Sequence, residues 1–159
     1  MDEFGKKIKF ILNGGQCHFG IESTIVDLTG NPTILRPGSI TVDKIQRVLK
    51  KKIEIKKSSK KIKAPGQLNF HYSPGIPVEM NKQYAKKNQA LIGFGKEFKP
   101  RKNHFNLSKS GNLKEAANNL YKTMRKIKKK KFKSIAVTKI PNTGIGFAIN
   151  DRLKKASKK

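Results

Sequence analysis

The sequence has one cysteine, no tryptophan, few acidic residues and no long apolar run. Because Cys17 stands alone, an intramolecular disulfide and a multi-thiolate zinc site are excluded. No stretch reaches the roughly 18 apolar residues of a membrane span, and no apolar core of a secretory signal follows the N-terminal charges. We therefore expect a soluble, cytoplasmic protein. Its 159 residues allow one ordinary domain or two small ones.

The scarcity of acidic residues leaves a formal charge of +27. Such a charge first suggests nucleic-acid binding. However, only 5 of the 37 basic residues are arginine, and selective phosphate and base recognition favours the bidentate guanidinium. The lysine-rich runs, at residues 50–52, 56–63 and 128–131, lie between periodic segments, where a solvated surface is the simpler interpretation. The composition therefore predicts only weak, non-specific contact with tRNA at low salt.

The first 50 residues have the pattern of short strands followed by a helix. Ile8 to Leu12 is apolar and ends at two glycines, which predicts a strand running into a tight loop. Residues 23–28 and 33–36 are rich in β-branched side chains and are separated by a turn sequence, which predicts a hairpin. Thr41 is the predicted N-cap of a helix with one apolar face. That face comprises Val42, Ile45, Val48 and Leu49. Residues 50–63 are predicted to form a mobile connection.

Residues 65–77 differ in kind, because they contain three prolines, two glycines and three side chains with aromatic rings. Such a segment cannot form a regular helix or a central strand. Two interpretations remain open: a stiff interdomain linker, or an ordered loop laid across a ligand site.

The last 70 residues have an α/β pattern of their own. Strands are predicted at residues 90–94 and 134–138, and helices at residues 112–127 and from Phe147 to about Ala156. Asn112, with Glu115 three residues later, predicts a capping box at the start of the first helix. The apolar stripe of that helix comprises Leu113, Ala116, Ala117, Leu120, Met124 and Ile127. The order strand, helix, strand, helix predicts a small parallel sheet of the βαβ kind.

Several polar residues stand where a ligand could be bound. Residues 14–24 form a glycine-flanked loop leading to Ser23 and Thr24; it could converge on a small polar ligand, or be a turn in which the serine bonds its own backbone. Arg36 ends a strand at a turn, a place that suits a phosphate or carboxylate contact. His71 and Tyr72 offer a switchable donor and an amphipathic ring. His18 and His104 are interpreted as incidental.

Two features near the C-terminus have competing interpretations. Residues 144–146, Gly-Ile-Gly, could cradle a phosphate at a helix N-terminus, but close packing of strand and helix is favoured because the fingerprint is incomplete. Asn150, Asp151 and Arg152 could contact a partner domain or a ligand, although an ion network on the helix surface is the default interpretation.

Several separated segments resemble one enzyme family. Residues 20–29, 34–41, 64–66 and 71–74 resemble, in order and spacing, the end of the YrdC-type catalytic domain and the linker of the long form of threonylcarbamoyl-AMP synthase. Residues 110–113, 144–146 and 148–153 resemble the Rossmann-like C-terminal domain of that family. The resemblance implies an α/β chain with a partial YrdC-type twisted sheet in residues 1–63, a Pro/Gly-rich linker over the active site in residues 64–88, and a small Rossmann-like βαβ domain in residues 89–159.

The resemblance also implies a reaction. L-Threonine, bicarbonate and ATP would give threonylcarbamoyl-AMP and pyrophosphate for tRNA modification, with Mg²⁺ assisting the phosphates. By similarity, Ser23 would bind L-threonine, and Arg36, His71 and Tyr72 would bind the nucleotide, the last two as a lid. No metal ligand and no catalytic residue is assigned. Gln67, Leu68 and Asn69 replace the Met-Lys-Tyr that is more usual in this family's linker.

The first half of the family's enzyme, with its basic cleft and most of its threonine pocket, has no counterpart in the sequence. We therefore expect the chain to be inactive until that half is supplied. Two alternatives remain: a non-catalytic basic module that binds tRNA or a partner of the modification pathway, and an independent nucleotide-binding βαβ domain.

Overall fold

The structure, a computed structural model, describes residues 5–15, 17–56, 62–68 and 71–158. In these residues the chain forms two sheets with helices. The first part comprises a 3-10 turn at Gly5–Lys7, strands β1 (Ile25–Asp27) and β2 (Thr33–Arg36), helix α1 (Val42–Leu49) and strand β3 (Glu54–Ile55). The second part comprises β4 (Val78–Glu79), β5 (Gln89–Gly93), β6 (His104–Asn106), α2 (Leu113–Lys129), β7 (Ser134–Val137) and α3 (Gly146–Ala156).

The first sheet has the order β1-β2-β3. Strands β1 and β2 are antiparallel, so the predicted hairpin is confirmed. Strand β3 pairs with β2 in parallel, with Thr33 opposite Glu54 and Ile34 opposite Ile55. The prediction of a mobile connection is therefore wrong for residues 53–56, because Ile53 is buried and β3 completes the hydrogen bonds of an otherwise open edge of β2.

The strand predicted at residues 8–12 is not formed. These residues have no regular structure, and Phe10 and Leu12 are 86% and 100% exposed. A strand needs a neighbour to receive its backbone hydrogen bonds. Since no strand in the described part of the chain pairs with this run, its apolar composition alone does not make it one.

Helix α1 is confirmed at Val42–Leu49, but its predicted apolar face is not a core face. None of its residues is buried, and Val48 is 82% exposed. Thr41 makes no side-chain hydrogen bond to the first turn, so the predicted cap interaction is absent there. Val42, Ile45 and Leu49 are only half-buried, so no element in the described part of the chain covers this face completely.

The second sheet has the order β4-β7-β5-β6, and all three pairings are parallel. The predicted parallel sheet is confirmed, with two strands, β4 and β6, that the pattern did not indicate. Strand β4 lies in residues 64–88, the predicted linker, and pairs with β7. The end of that segment is therefore part of the second sheet.

Helices α2 and α3 pack with this sheet to form the main core. Asn112 caps α2, because its side chain accepts hydrogen bonds from the backbone N–H groups of Lys114 and Glu115 at 2.9 and 3.1 Å. The Glu115 carboxylate accepts from the hydroxyls of Ser108 and Ser110, so it does not close the predicted capping box. The predicted stripe of α2 is buried except for the partly exposed Leu113. Burial is worth roughly 1.5–3 kcal/mol for each of the larger side chains, Leu120, Met124 and Ile127.

The two parts of the chain are in contact. Ile21 and Tyr72 pack against the core of the second part. Gly20 has a φ of +61°, and a Cβ at this position would collide with the backbone of Asn118 in α2. Residues 20–22 therefore lie directly on the second part, and this contact positions the candidate site.

Candidate functional site

Arg36 and Ser23 meet at the end of strand β2. The Arg36 side chain is almost completely buried, and its Nε donates to the Ser23 carbonyl oxygen at 3.1 Å. Its Nη2 donates to the Ser23 hydroxyl at 3.2 Å, and its Nη1 donates to the carbonyl of Pro65 at 3.4 Å. The guanidinium thus joins the Ser23 loop, β2 and the linker. Of the five N–H donors of the guanidinium, three bind groups among the described residues.

The turn after β2 fixes the Ser23 loop from the other side. A Cβ at Gly38 would collide with the backbone of Glu22, Ser23 and Thr24, so only glycine allows this approach. The Ser39 N–H donates to the Glu22 carbonyl at 3.3 Å, and the Thr24 hydroxyl donates to the Ile40 carbonyl at 2.6 Å. The conformation of the serine loop is therefore set by backbone contacts.

The linker places Tyr72 beside Arg36. Tyr72 has a φ of +64°, in the left-handed region that non-glycine residues rarely adopt. A Cβ at Gly66, whose φ is +81°, would collide with the Tyr72 hydroxyl and lie 3.0 Å from Cδ of Arg36. The His71 ring packs edge-on against Tyr72 at 4.0 Å. His71 Nδ1 and the Tyr72 hydroxyl are buried and have no hydrogen-bond partner among the described residues.

Helix α3 contributes Arg152, which is 1% exposed. Its guanidinium lies 5.0 Å from the centre of the Tyr72 ring, and its Nε donates to the Glu22 carboxylate at 2.9 Å. Its Nη1 donates to Asp151 at 2.7 Å. The structure shows two of the interpretations left open for this segment: an ion network along the helix, in which Asp151 pairs with Arg152 and Lys155, and a contact with the first part of the chain through Glu22.

Helix α2 contributes Tyr121 to the same cluster. Its ring stacks against Tyr72 at 6.0 Å, and its hydroxyl donates to the Glu22 carboxylate at 3.2 and 3.3 Å. Glu22 directly precedes Ser23 in the chain. The cluster therefore ties the predicted threonine-binding residue and the predicted lid to the same two helices.

The charges of this cluster are set by burial and pairing. Burial raises the pKa of Glu22, but a hydrogen bond from its own backbone, the charge of Arg152 and hydrogen bonds from Arg152 and Tyr121 together outweigh it, so the pKa is held below its ordinary value. Burial raises the pKa of both Tyr72 and Tyr121. Burial lowers the pKa of Arg152, but Glu22, Tyr72 and Asp151 together more than reverse this effect. At neutral pH the ion pair is charged and both phenols are protonated.

Sequence patterns predicted Ser23, Arg36, His71 and Tyr72, and the structure brings them together. Arg36 contacts Ser23 directly, and the Tyr72 hydroxyl lies beside Gly66, next to Arg36. Among the described residues, the His71 ring contacts Tyr72. Their ligand roles stay predictions.

Glu22 and Tyr121 were missed. The one sequence signal for Glu22 is its position next to Ser23, whereas Tyr121 lies in an ordinary amphipathic helix.

The other predicted features lie outside this cluster or have structural roles. A Cβ at Gly146 would collide with the Pro141 carbonyl, which supports close packing over a phosphate cradle. The Gln67 side chain accepts from the backbone N–H groups of Lys63 and Ala64 at 2.7 and 3.0 Å, so it stabilises the start of the linker. Leu68 is half-exposed, and Asn69 lies outside the described residues.

No group of three or more His, Cys, Asp or Glu side chains within the described ranges could hold a metal ion. The described residues therefore show no all-protein cage for the Mg²⁺ that the resemblance implies. None of the described helices is both long and apolar enough to cross a bilayer.

Known proteins resemble the chain along its whole length. Residues 40–158 match the family described as "Threonylcarbamoyl-AMP synthase, C-terminal domain", and residues 1–38 match a family described as "Telomere recombination". The threonylcarbamoyl-AMP synthase of Pyrococcus abyssi is 30% identical over 178 residues, covering 98% of this chain and 51% of the relative. That of Bacillus subtilis is 28% identical over 174 residues, covering 95% and 49%. The chain thus spans about half the length of these relatives.

Solved structures of the same family also resemble the chain. The crystal structure of P. abyssi Sua5 complexed with L-threonine matches with a TM-score of 0.83 and 29% identity, over 98% of this chain and 51% of that chain. A variant of the same protein, in which a neighbouring histidine and tyrosine are replaced by alanine, matches with a TM-score of 0.73 and 26% identity, over 91% and 47%. On this evidence the chain, an α/β protein whose second part is a parallel-sheet domain, belongs to the threonylcarbamoyl-AMP synthase family.

Proposed function

We propose that the chain carries one wall of the active site of a threonylcarbamoyl-AMP synthase, a nucleotidyltransferase that uses L-threonine, bicarbonate and ATP and releases pyrophosphate. The product would be used in threonylcarbamoyl-adenosine modification of tRNA in the cytoplasm. The observation that carries this proposal is the contact between the buried Arg36 guanidinium and the Ser23 hydroxyl, directly beneath the linker residue Tyr72.

Ser23 is the proposed contact for L-threonine. Its hydroxyl can donate and accept hydrogen bonds, as a zwitterionic amino acid requires. The hydrogen bond from Arg36 occupies one acceptor position and leaves the hydroxyl proton available. The similarity to a Sua5 structure complexed with L-threonine supports this role.

Arg36 is the proposed contact for the adenylate. It remains charged at any physiological pH, and its planar donors suit phosphate oxygens. Because three of its N–H groups hold Ser23 and Pro65, its orientation is fixed before a ligand arrives. Such preorganisation lowers the cost of binding a phosphate.

His71 and Tyr72 are proposed to close over the nucleotide. Each has a buried polar atom without a hydrogen-bond partner in the described part of the chain, which costs stability unless another group supplies the bond. The left-handed backbone of Tyr72 costs about 1–3 kcal/mol, and strain of this size is often retained at ligand clamps. A nucleotide has acceptors for both groups.

We propose that groups outside this chain supply the Mg²⁺ and the remaining contacts to the substrates. Mg²⁺ commonly binds through substrate phosphates and water, so it would arrive with ATP rather than on a cage in these residues. We propose that turnover requires the half of the relatives that this chain does not span. The exposed apolar run at residues 8–12, in the part that matches the second family, supports this requirement.

The test is pyrophosphate release from ATP that depends on both bicarbonate and L-threonine. The 159-residue chain is assayed alone and after mixing with the first half of the P. abyssi relative. We expect activity only in the mixture. Arg36→Ala should reduce it by about 100-fold or more, in line with the loss of a buried charge contact, and Ser23→Ala should raise the KM for L-threonine more than it lowers kcat.

The exposed Lys109→Ala is the matched control and should leave activity unchanged. Circular dichroism establishes that each variant is folded. Turnover by the chain alone would disprove the requirement for a second half. Full activity of folded Arg36→Ala and Ser23→Ala variants in the mixture would disprove the site.

A further inference from the structure

Ser23 lies where the chain passes from the second part of the molecule to the first sheet. Before it, Gly20 approaches Asn118 of α2 too closely for a Cβ, and Ile21 packs against the core of the second part. After it, the Thr24 hydroxyl donates to a carbonyl in the turn that follows β2, at 2.6 Å. The position of the Ser23 hydroxyl therefore depends on how firmly the chain is held on both sides of this junction.

Glu22 anchors the junction to the second part. Its carboxylate accepts from Nε of Arg152 at 2.9 Å and from the Tyr121 hydroxyl at 3.2 and 3.3 Å. Both donors have further contacts that fix them, because Arg152 also donates to Asp151 at 2.7 Å and the Tyr121 ring stacks against Tyr72. The carboxylate is thus held by side chains from two helices, α2 and α3.

The backbone of the junction is held from the opposite side. The Glu22 carbonyl accepts from the Ser39 N–H at 3.3 Å, and a Cβ at Gly38 would collide with it. The Ser23 carbonyl accepts from Nε of Arg36 at 3.1 Å. With the backbone fixed, the Ser23 hydroxyl has one rotatable bond left, and the hydrogen bond from Nη2 of Arg36 at 3.2 Å selects its rotamer.

The Glu22 carboxylate and the Ser23 hydroxyl contact different elements. Glu22 contacts α2 and α3, whereas Ser23 contacts Arg36 at the end of β2. An effect of Glu22 on a ligand at Ser23 would therefore pass through the backbone that the two residues share. Such an effect can be large, since a group misplaced by about 1 Å can cost about 100-fold in rate.

We propose that Glu22, held by Arg152 and Tyr121, is a positioning residue that sets the Ser23 hydroxyl for L-threonine. This inference rests on the proposed function, in which Ser23 contacts that substrate. A purely structural ion pair is the competing interpretation: breaking it would lower the Tm and leave the affinity for L-threonine unchanged. In the proposed arrangement, the second part of the chain sets the affinity for a substrate through a residue of the first part.

The test compares the KM values for L-threonine and ATP in the mixture of this chain with the first half of the P. abyssi relative. Glu22→Ala should raise the KM for L-threonine by about tenfold or more. The KM for ATP should rise by less than about threefold, because Arg36 keeps its hydrogen bond to Pro65. Tyr121→Phe removes one hydrogen bond to Glu22 but keeps the ring beside Tyr72, so the KM for L-threonine alone should rise, by about two- to tenfold.

Glu79→Ala is the matched control. The Glu79 side chain is 34% exposed, as is that of Glu22. Its carboxylate accepts from Nε2 of Gln89 at 2.8 Å and pairs with Lys82 at 3.3 Å, and it lies in β4 rather than in the serine loop. Its loss should lower the Tm but change the KM for L-threonine by less than about twofold. Equal increases in this KM for Glu22→Ala and Glu79→Ala would overturn the proposal.

Amide hydrogen exchange of the chain alone gives a second measurement that needs no turnover. The Ser39 N–H, which donates to the Glu22 carbonyl, should exchange about threefold faster or more in Glu22→Ala, and at the wild-type rate in Glu79→Ala. Unchanged exchange, or a folded Glu22→Ala variant with the wild-type KM for L-threonine, would overturn the positioning role. An unchanged KM in Ser23→Ala would instead disprove the threonine contact of the proposed function, and the exchange rate would still decide whether Glu22 holds the loop.

Discussion

Replacing Arg152 by methionine tests whether the two parts of the chain are joined by its buried guanidinium. The change keeps an apolar stem of similar length but leaves the Glu22 carboxylate without its 2.9 Å partner. Asp151 keeps an ion pair with Lys155 at 2.8 Å, so it is not left alone. The effect should therefore come mainly from Glu22 and from the lost contact with the Tyr72 ring.

The size of the effect follows from burial. Breaking a fully buried ion pair costs about 3–5 kcal/mol. The Glu22 side chain is 34% exposed, so water compensates part of this cost. With about 0.5–1 kcal/mol for the cation–π contact, we expect the free energy of unfolding to fall by about 2–3 kcal/mol. For a chain of this length, that corresponds to a Tm lower by roughly 5–10 °C.

Thermal unfolding followed by circular dichroism measures this change, and a double-mutant cycle assigns it. Glu22→Gln, Arg152→Met and the double variant should show a coupling energy of about 1–2 kcal/mol, because the two groups are in contact. Lys154→Met, an exposed substitution in the same helix, should change stability by less than about 0.5 kcal/mol. Additive effects of the two single variants would refute a stabilising ion pair between Glu22 and Arg152.

The same pair predicts a pH dependence. The folded-state pKa of Glu22 is below its ordinary value of 4.5, so its contribution to stability is present above pH 4.5 and is lost as the pH falls through the folded-state value. Wild-type protein should therefore lose more stability on acidification below pH 4.5 than the Arg152→Met variant does. Parallel curves for the two proteins would show that Glu22 does not depend on Arg152.

Three smaller changes test the supports of the site by the same thermal measurement. Gly38→Ala should lower the Tm by about 5 °C or more, since its methyl group meets backbone rather than a flexible side chain; Gly30→Ala, in open space, should lower it far less. Gly66→Ala should lower the Tm and also expose Tyr72 to fluorescence quenchers, because its methyl group would collide with the phenol; unchanged quenching would contradict that contact. Asn112→Ala should cost about 1 kcal/mol, or 2–4 °C, through loss of the α2 cap, and no change would show that the cap contributes nothing.

The sequence predicted those helices and strands whose pattern is contained within their own residues. The stripe of α2 repeats over four turns, and the β1–β2 hairpin has its turn residues between its strands, so both could be found from adjacent residues. Strands β3 and β4 have two residues each, and they exist because β2 and β7 supply their hydrogen bonds. No pattern of two residues can show this. For residues 8–12 the error was the reverse: a strand-like run has no partner in the described chain.

The candidate site likewise has residues that the sequence predicts and contacts that it does not predict. Ser23, Arg36 and Tyr72 lie in recognisable motifs, so they could be predicted as site residues from their neighbours in the sequence. The hydrogen bonds that support the site cannot be predicted from neighbouring residues. Tyr121 and Glu22 are 99 positions apart in the sequence, and Arg152 and Glu22 are 130 apart. Contacts at such separations depend on how the second domain docks, which is decided by the shape of the packed surfaces around Gly20 and Ile21 rather than by any local pattern.

This arrangement gives the second part of the chain a role in the proposed reaction, although its Gly146 turn packs too closely on Pro141 for a phosphate cradle. Tyr72 lies between Tyr121 and Arg152, and Glu22 is bound by both of these residues. Consequently the proposed lid residue and the neighbour of Ser23 share one support, which belongs to the second part of the chain. A movement of α3 that broke the Glu22 pair would loosen the proposed threonine side and the proposed nucleotide side of the site together. Because two groups with one support cannot be released independently, opening and closing of such a site would be concerted.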